Sequence, residues 1–164
     1  MKTRRSLPWH TVRNSTIHGK GVFAKRDIPA GTRIFEYEGE RISAEEADER
    51  HPVDPENPFH TFFFAIESGT VIDGGVGGND SRWINHSCAP NCEAEETEDG
   101  RIFIVNTVPL SKGEELLYDY GLVIDARHTA KLKRSYACFC GAPNCRGTML
   151  APKQRRSTPA KTST

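Results

Sequence analysis

The segment Asn85-His-Ser-Cys-Ala-Pro-Asn-Cys92 gathers polar and thiol side chains directly behind Arg82-Trp-Ile84, a partly apolar lead-in that favours burial. Buried asparagine and histidine side chains need hydrogen-bond partners. The segment must therefore satisfy Asn85 and His86 internally or present them to a ligand. On its own, His86 is compatible with a hydrogen-bonded core histidine or with a metal ligand, and both alternatives stay open.

A second cysteine cluster, Cys138-Phe-Cys-Gly-Ala-Pro-Asn-Cys145, places three thiols on a tight turn that its glycine and proline favour. Three thiolates are one ligand short of a closed structural zinc site, so either Cys88 or Cys92 is predicted to supply the fourth. The chain has 5 cysteines, and an odd, clustered set favours a metal site in a reducing compartment over a disulfide framework. The alternative is a loop of free cysteines.

The composition bounds the size, the partners and the location of the protein. A chain of 164 residues with 36% hydrophobic residues suits one domain with a modest core. Lysine plus arginine (22) balances aspartate plus glutamate (22), which disfavours direct binding to nucleic acid or to an anionic membrane. No apolar stretch approaches the roughly 20 residues that span a bilayer. We expect an intracellular protein, cytoplasmic in a bacterium and nuclear or chromatin-associated in a eukaryote.

Short β-rich segments between glycine, proline and charged turns predict a compact, mostly antiparallel β fold. Ser43-Ala-Glu-Glu46 has the pattern of a capping box and predicts a short helix to about Arg50, and a second helix is expected from Asp125 to about Lys133. Phe62-Phe-Phe64 is expected to fill the core from both faces of a central strand. The predicted strands are Thr32 to Tyr37, Phe59 to Ile66, Thr70 to Asp73, Ile102 to Val108 and Glu115 to Tyr118.

Two further motifs suggest ligand contacts, and a charged run suggests a turn. Leu117-Tyr-Asp-Tyr-Gly121 places its two tyrosines on the same side of an extended strand, because side chains alternate along a strand. They either converge on one small polar target or only pack as half-buried aromatics. Gly19-Lys-Gly-Val-Phe23 either lets the backbone approach a ligand closely or forms an ordinary turn. The run Glu93 to Asp99 is interpreted as a solvated hairpin tip.

Taken together and in this order, the motifs resemble the SET-domain family of protein-lysine methyltransferases, followed by that family's small post-SET zinc segment. The resemblance runs from about Val12 to Leu150, with a SET domain over 12–124 and a linker helix and post-SET zinc segment over 125–150, after an N-terminal extension over 1–11. The basic tail over 151–164 is predicted to be disordered, because it lacks apolar residues that could offset the entropy of ordering. The matching motifs are Gly19-Lys-Gly-Val-Phe-Ala24, Phe35-Glu-Tyr-Glu-Gly-Glu40, Gly78-Asn-Asp-Ser-Arg-Trp-Ile-Asn-His-Ser-Cys-Ala-Pro-Asn-Cys92, Gly113-Glu-Glu-Leu-Leu-Tyr-Asp-Tyr120 and Cys138-x-Cys140-x4-Cys145.

The resemblance implies a mostly β fold of small curved β-sheets with a C-terminal zinc-bound segment. In that fold, the segment carrying Tyr118 and Tyr120 lies beside a pseudoknot near Asn85-His86. The methyl donor, S-adenosylmethionine, is expected in a pocket on one face, and the target lysine enters through a narrow channel from the other. The implied activity is transfer of a methyl group from S-adenosylmethionine to a lysine side chain of a protein, such as a histone or another basic protein.

The resemblance also implies individual residue roles. Lys20, Gly21 and Val22 are expected to contact the donor through their backbone, and Phe139 is expected to cover its adenine. Phe62 stands where many relatives have a tyrosine. The other implied donor-pocket residues are Arg82, Asn85 and His86. One structural zinc ion is expected on Cys88, Cys138, Cys140 and Cys145, with Cys92 left as a free thiol.

Tyr120 matches the family's catalytic tyrosine, and Tyr118 matches the position that controls how many methyl groups fit. A tyrosine at that position implies mainly monomethylation. The expected partner is a lysine-containing protein or peptide such as a histone tail, with no nucleic acid and no membrane. Two alternatives stay open: a zinc-stapled interaction module without turnover, and methylation of the chain's own Lys153 or Lys161.

Overall fold

The computed structural model describes residues 8–50, 62–122, 127 and 129–151. Within these ranges, ten short β-strands form four small sheets, accompanied by two short α-helices and one 3-10 helix. The predicted mostly β fold of small sheets is therefore confirmed. Neither α-helix of the described ranges is long and apolar enough to cross a membrane. The predicted disordered tail lies outside these ranges, apart from Ala151.

The first sheet is an antiparallel hairpin of β1 (His10–Asn14) and β2 (Lys20–Ala24). Its turn closes where the Ser15 N–H donates to the Gly19 carbonyl at 2.7 Å, and Gly19 has a φ of 44°. Gly21 lies inside β2, where glycine is required by the space available and not by the backbone conformation. A Cβ atom at Gly21 would overlap the Glu115 carboxylate, so the missing side chain makes room for that glutamate.

The second sheet has the order β3-β9-β8, built from β3 (Arg33–Glu36), β8 (Cys92–Glu96) and β9 (Ile102–Asn106). The turn between β8 and β9 is closed by the Thr97 N–H, which donates to the Arg101 carbonyl at 2.9 Å. The charged run that we interpreted as a hairpin tip is therefore mostly strand. Glu93 and Glu96 of β8 are exposed and Glu95 is half-buried, so the strand accommodates the glutamates at its surface.

The third sheet has the order β4-β6-β5, built from β4 (Glu40–Ile42), β5 (Phe63–Ala65) and β6 (Val71–Asp73). The prediction of a central strand at Phe62-Phe-Phe64 is wrong for the part of the chain that the structure describes, because β6 pairs with both neighbours there and β5 pairs with β6 alone. Every residue of β6 is buried, as a central strand requires. Phe63 and Phe64 of β5 still pack against different core clusters.

The two α-helices are α1 (Ala44–Arg50) and α2 (Ala130–Ser135). The Glu46 N–H donates to the Ser43 hydroxyl at 3.1 Å, which confirms the predicted cap of α1. The predicted helix from Asp125 to about Lys133 is not continuous through residue 129. Asp125 lies outside the described residues, but Thr129 has an extended backbone and its hydroxyl accepts from the Leu132 N–H at 3.1 Å, so Thr129 is the N-cap.

The fourth sheet places two distant segments side by side. A 3-10 helix (Asp80–Trp83) leads into β7 (Asn85–His86), which pairs in parallel with β10 (Leu117–Tyr118). The Asn91 N–H also donates to the Leu117 carbonyl at 3.2 Å, so the loop after β7 contacts β10 as well. The predicted neighbourhood of the tyrosine segment and Asn85-His86 is confirmed.

The largest hydrophobic core cluster packs against β7 and β10. Its members Val22, Ile104 and Leu116 are each 0% exposed. Tyr118 also belongs to this cluster, so the tyrosine segment is anchored by hydrophobic burial. A buried asparagine, Asn106, ties the loops around the core, because its side-chain amide donates to the carbonyls of Ile28, Pro29 and Val108 at 3.2, 2.9 and 3.0 Å.

Candidate functional site

A cavity of about 770 Å³ opens between the β1–β2 hairpin, the tyrosine segment (residues 117–121) and the C-terminal cysteine segment (residues 136–151). Its volume is in the range of small-molecule sites. Gly21 and Val22, which were predicted to bind the donor, do not line it, and Val22 is 0% exposed in the core. The predicted site residues that do line the cavity are Lys20, Phe62, Arg82, Asn85, His86, Tyr118, Tyr120 and Phe139.

Asn85 holds the turn of the hairpin against the cavity. Its side-chain nitrogen lies 3.1 Å from the carbonyls of both His18 and Lys20, and 2.9 Å from Oε1 of Glu115. These acceptors come from segments distant in sequence, so one buried amide joins three pieces of the site. Asn85 therefore orients the backbone at residues 18–20 toward the cavity.

A cationic and aromatic wall forms one side of the cavity. Nζ of Lys20 and Cζ of Arg82 both lie 4.8 Å from the Trp83 ring, and Phe62 meets that ring edge-on at 5.2 Å between centroids. Nε of Arg82 is buried with no hydrogen-bond partner among the described residues. Trp83 was not singled out from the sequence, where it only counted as part of an apolar lead-in.

Three tyrosines form the inner end of the cavity. The rings of Tyr118 and Tyr120 are 5.0 Å apart, and the Tyr120 hydroxyl donates to the Ile84 carbonyl. Burial raises the pKa of both phenols, and for each a neighbouring tyrosine raises it further. Both phenols are therefore neutral at physiological pH. Tyr120 is suited to positioning a reactant and poorly suited to acting as a tyrosinate base.

Tyr37 is the third tyrosine, and sequence reasoning missed it. It lines the cavity, it is 4% exposed, and its hydroxyl donates to the Phe62 carbonyl at 2.6 Å. Burial raises the pKa of its phenol above the ordinary value, helped by the charge of Asp73. The available signal was its place in the Phe35-to-Glu40 motif, which the family resemblance already included.

His86 links the tyrosine segment to the cysteines. Its Nδ1 accepts from the backbone N–H of Tyr120 at 3.0 Å, so the proton of the neutral ring sits on Nε2. That Nε2 lies 3.5 Å from Sγ of Cys88. Burial lowers the pKa of His86, which keeps the ring neutral. Of the two alternatives for His86, the structure supports the hydrogen-bonded core histidine.

Four cysteines converge beside the cavity: Cys88, Cys138, Cys140 and Cys145, whose sulfur atoms all lie within 4.8 Å of one another. Tetrahedral zinc with Zn–S bonds of about 2.3 Å needs sulfur atoms about 3.8 Å apart, and Sγ of Cys88 lies 3.8 Å from Sγ of Cys138. The four thiols therefore fit a closed structural zinc site. Cys92 is packed in the core instead, where burial raises its pKa to about 12.

Phe139 lies between two of these cysteines and projects over the cavity. It lines the cavity and yet is 71% exposed, which makes it the most exposed large hydrophobic side chain of the described residues. An aromatic ring held by its neighbouring cysteines at the mouth of a cavity can cover a flat apolar ligand group.

Four small β-sheets, a tyrosine segment parallel to Asn85–His86, and a four-cysteine site beside a tyrosine-lined cavity together match the SET type of fold, with a C-terminal cysteine segment that fits a metal ion. The SET domain family profile matches residues 19–121. The chain belongs to the SET-domain family.

Relatives in sequence carry the same domain within longer chains. The chain is 38% identical over 139 residues to human histone-lysine N-methyltransferase 2D, an alignment that covers 82% of this chain and 2% of that protein. It is 37% identical over 136 residues to the H3 lysine-4 specific histone-lysine N-methyltransferase of Mycosarcoma maydis, covering 80% of this chain and 9% of that protein. The chain thus spans only a small part of these curated relatives.

Solved structures of a multi-subunit complex share the fold. The polycomb repressive complex 2 of Chaetomium thermophilum matches with a TM-score of 0.64 and 29% identity, covering 71% of this chain and 16% of that chain. A structure of ctPRC2 in an autoinhibited conformation bound to S-adenosylmethionine matches with a TM-score of 0.64 and 30% identity, covering 71% of this chain and 15% of that chain.

Proposed function

We propose that the chain is an S-adenosylmethionine-dependent protein-lysine N-methyltransferase. Its SET-domain membership and the activities named for its relatives support this function. The observation that carries the proposal is that Tyr118 and Tyr120 line the same cavity as Phe139 and the cationic and aromatic wall that includes Lys20 and Arg82. A methyl donor on the wall and an amine beside the tyrosines would meet inside the same enclosed space.

The target lysine must lose its proton before it can react. A lysine side chain has a pKa of about 10.4, so the neutral amine costs roughly 4 kcal/mol near pH 7.4. Burial disfavours the ammonium form and reduces that cost. The aromatic rings of Tyr37, Tyr118 and Tyr120 provide such an environment, because Tyr37 and Tyr118 are less than a tenth exposed and all three line the cavity.

Tyr120 is assigned a positioning role in this reaction. Bound S-adenosylmethionine supplies a methyl group on a positively charged sulfur. The Tyr120 ring and the Ile84 carbonyl that accepts its hydroxyl proton are held together against the core, which fixes polar atoms at the point where the two reactants meet. Alignment of this kind lowers the barrier without any proton transfer to the phenol.

The wall residues are assigned to the donor. Lys20 and Arg82 offer positive charge and hydrogen-bond donors to its carboxylate, Asn85 and His86 shape its pocket, and Phe139 covers its adenine. Gly21 and Val22 act indirectly in this proposal, because they lie in β2 behind the turn. Phe62, with no hydroxyl, contributes packing against Trp83.

Tyr118 is assigned to control of the product. Its buried phenol occupies the inner end of the cavity beside Tyr120, which leaves less room around the amine. We expect mainly monomethyl-lysine. The proposed substrate is a histone or another basic protein, supported by the names of the relatives, and the proposed location is nuclear or chromatin-associated for the same reason.

One zinc ion is proposed on Cys88, Cys138, Cys140 and Cys145. Four thiolates leave no open position for water, so the ion would be structural. It would join the loop after β7 to the C-terminal segment that carries Phe139, and metal affinity would become folding energy for that segment.

Methyl transfer from radiolabelled S-adenosylmethionine to core histones and to a lysine-peptide array tests the function directly. Calorimetry with S-adenosylhomocysteine, the demethylated product, tests the donor site independently of any substrate. Both use protein shown to hold one zinc per chain. We expect binding and transfer. Zinc-loaded protein with no affinity for either donor or product would refute the proposal.

A further inference from the structure

An ion pair joins the tyrosine segment to the cysteine segment. The guanidinium of Arg146 donates from one nitrogen to Oδ2 of Asp119 at 2.8 Å and from the other to Oδ1 at 3.2 Å. Asp119 stands between the two cavity tyrosines, and Arg146 directly follows a cysteine of the four-cysteine site. Neither residue was predicted to have a role.

Both ends of the pair are held in place by further bonds. Oδ1 of Asp119 accepts from the Gly121 N–H at 2.9 Å. The backbone N–H of Arg146 donates to Sγ of Cys88 at 3.4 Å. The ion pair therefore connects two pieces that are each already ordered, so its formation costs little side-chain entropy compared with a pair of free surface residues.

The pair is also partly shielded from water. The side chains of Arg146 and Asp119 are 25% and 36% exposed, and Nε of Arg146 is buried with no hydrogen-bond partner among the described residues. The hydrogen bonds from Arg146 lower the pKa of Asp119, so the carboxylate is charged at physiological pH. Two-point arginine–carboxylate pairs fix orientation as well as distance.

The cavity lies between the two pieces that the pair connects. Tyr118 and Tyr120 line it from one side, and Tyr136, Phe139 and Met149 line it from the cysteine segment. The angle of the cysteine segment on the tyrosine segment thus sets the width of the cavity and the position of the exposed Phe139 ring.

We infer that Asp119 and Arg146 are positioning residues that dock the zinc-binding segment onto the tyrosine segment and thereby set the affinity for the methyl donor. This inference rests on the proposed function. The four thiols hold the segment together, and the ion pair aligns it with the cavity.

A second bidentate pair in the chain provides a matched control. Nε and a terminal nitrogen of Arg101 donate to the two carboxylate oxygens of Glu36 at 2.9 and 3.0 Å. This pair joins the residue before β9 to the end of β3, and neither residue lines the cavity. Arg101→Gln therefore removes a pair of the same chemistry without touching the docking of the cysteine segment.

The test uses Asp119→Asn, Arg146→Gln, the double variant, Arg146→Lys and the control Arg101→Gln. Zinc content and thermal unfolding are measured for each, and then the Kd for S-adenosylhomocysteine by calorimetry. We expect each neutral single variant to keep its zinc and to raise the Kd about tenfold. The double variant should raise the Kd no further, because both changes break the same interaction.

Two further readouts separate positioning from general stability. Arg146→Lys keeps the charge and should recover most of the lost affinity, and Arg101→Gln should bind as the unaltered protein does. In turnover assays, the donor KM of Asp119→Asn and Arg146→Gln should rise by a larger factor than kcat falls.

The inference is overturned if the single variants bind as tightly as the unaltered protein, or if their effects add in the double variant. Loss of zinc from the neutral variants would also overturn it, because the pair would then serve metal retention. These results differ from failure of the proposed function, in which the unaltered zinc-loaded protein itself would not bind S-adenosylhomocysteine.

Discussion

The backbone N–H of Tyr120 donates to Nδ1 of His86 at 3.0 Å, across the parallel pairing of β7 and β10. This single bond fixes the tautomer of the imidazole and directs its Nε2–H toward Cys88. The proposed catalytic tyrosine and the proposed zinc site therefore share one buried histidine. The arrangement explains why polar residues stand next to a cysteine in the Asn85-to-Cys92 segment.

Removal of the Tyr120 hydroxyl should abolish most turnover while sparing binding. Tyr120→Phe deletes the donor to the Ile84 carbonyl and keeps the ring that packs beside Tyr118 and His86. We expect kcat to fall about a hundredfold, in line with the loss of one positioned hydrogen bond at a reacting centre. Steady-state kinetics and calorimetry with S-adenosylhomocysteine measure the two effects. Unchanged turnover together with normal binding would rule out the positioning role.

Removal of the Tyr118 hydroxyl should change the product. Tyr118→Phe keeps the buried ring near Phe64 and Tyr120 but frees space at the inner end of the cavity. We expect the unaltered enzyme to stop mainly at monomethyl-lysine and the variant to continue to higher methylation states. Mass spectrometry of a single-lysine peptide during a time course distinguishes the two. Efficient trimethylation by the unaltered enzyme would contradict the assignment.

Asn106 should matter for folding rather than for chemistry. Asn106→Ala leaves three carbonyls without their donor and the Thr32 N–H without its acceptor, which lay 2.9 Å away. Buried unpaired groups are expensive, so we expect a loss of about 3 kcal/mol in the free energy of unfolding. Thr107→Ala, at the exposed neighbouring position, should cost less than about 0.5 kcal/mol. Equal urea midpoints for the two variants would contradict this account.

The sequence predicted correctly those structural elements that depend on interactions between residues close together in the chain. The serine cap of α1, the strand patterns at β3, β6 and β9, and the three C-terminal cysteines on one turn all depend on neighbouring residues. The start of α2 was misplaced because both Asp125 and Thr129 can cap a helix, and the extended backbone at Thr129 decides between them.

Contacts between distant segments could not be read from the chain alone. Gly21 looks like a ligand-approach glycine in sequence, yet the space it leaves is filled by Glu115. The spacing of the cysteines left Cys88 and Cys92 as equal candidates for the zinc site, and only the family resemblance favoured Cys88. The pairing of β8 decides this, because it turns Cys92 into the core.

Cys92 should react slowly with thiol reagents, because it is 2% exposed in the core. Its pKa of about 12 leaves about one molecule in ten thousand as thiolate at pH 8, and the thiolate is the reactive form. Because burial raises the pKa, the free energy of unfolding is unaffected by this thiol below its ordinary pKa of about 8.5 and falls as the pH rises from there toward 12. After chelation at pH 8, Ellman's reagent should titrate four thiols rapidly and a fifth only in denaturant. Five rapid thiols in folded protein would exclude this environment.

Zinc removal should loosen the C-terminal segment and weaken donor binding. The segment is held to the body by the four thiols, by the Arg146–Asp119 ion pair, by the Ala151 N–H on the Leu122 carbonyl at 2.9 Å, and by the buried side chain of Leu150. Without the ion, these remaining contacts must order the segment alone, and metal affinity no longer contributes to its folding. Hydrogen exchange over residues 136–151 should therefore accelerate, and the Kd for S-adenosylhomocysteine should rise at least about tenfold.

The matched variants for this prediction are Cys145→Ser and Cys92→Ala. Cys145→Ser removes one of the four converging sulfur atoms and should reproduce the effects of chelation. Cys92→Ala deletes a buried thiol outside that group, so it should lower the free energy of unfolding and leave one zinc per chain with normal donor affinity. Metal-free protein with unchanged exchange and affinity would show that the segment orders itself without zinc. Loss of zinc from Cys92→Ala would instead show that Cys88 is the wrong choice of fourth ligand, because a thiol that does not bind the zinc should not affect its retention.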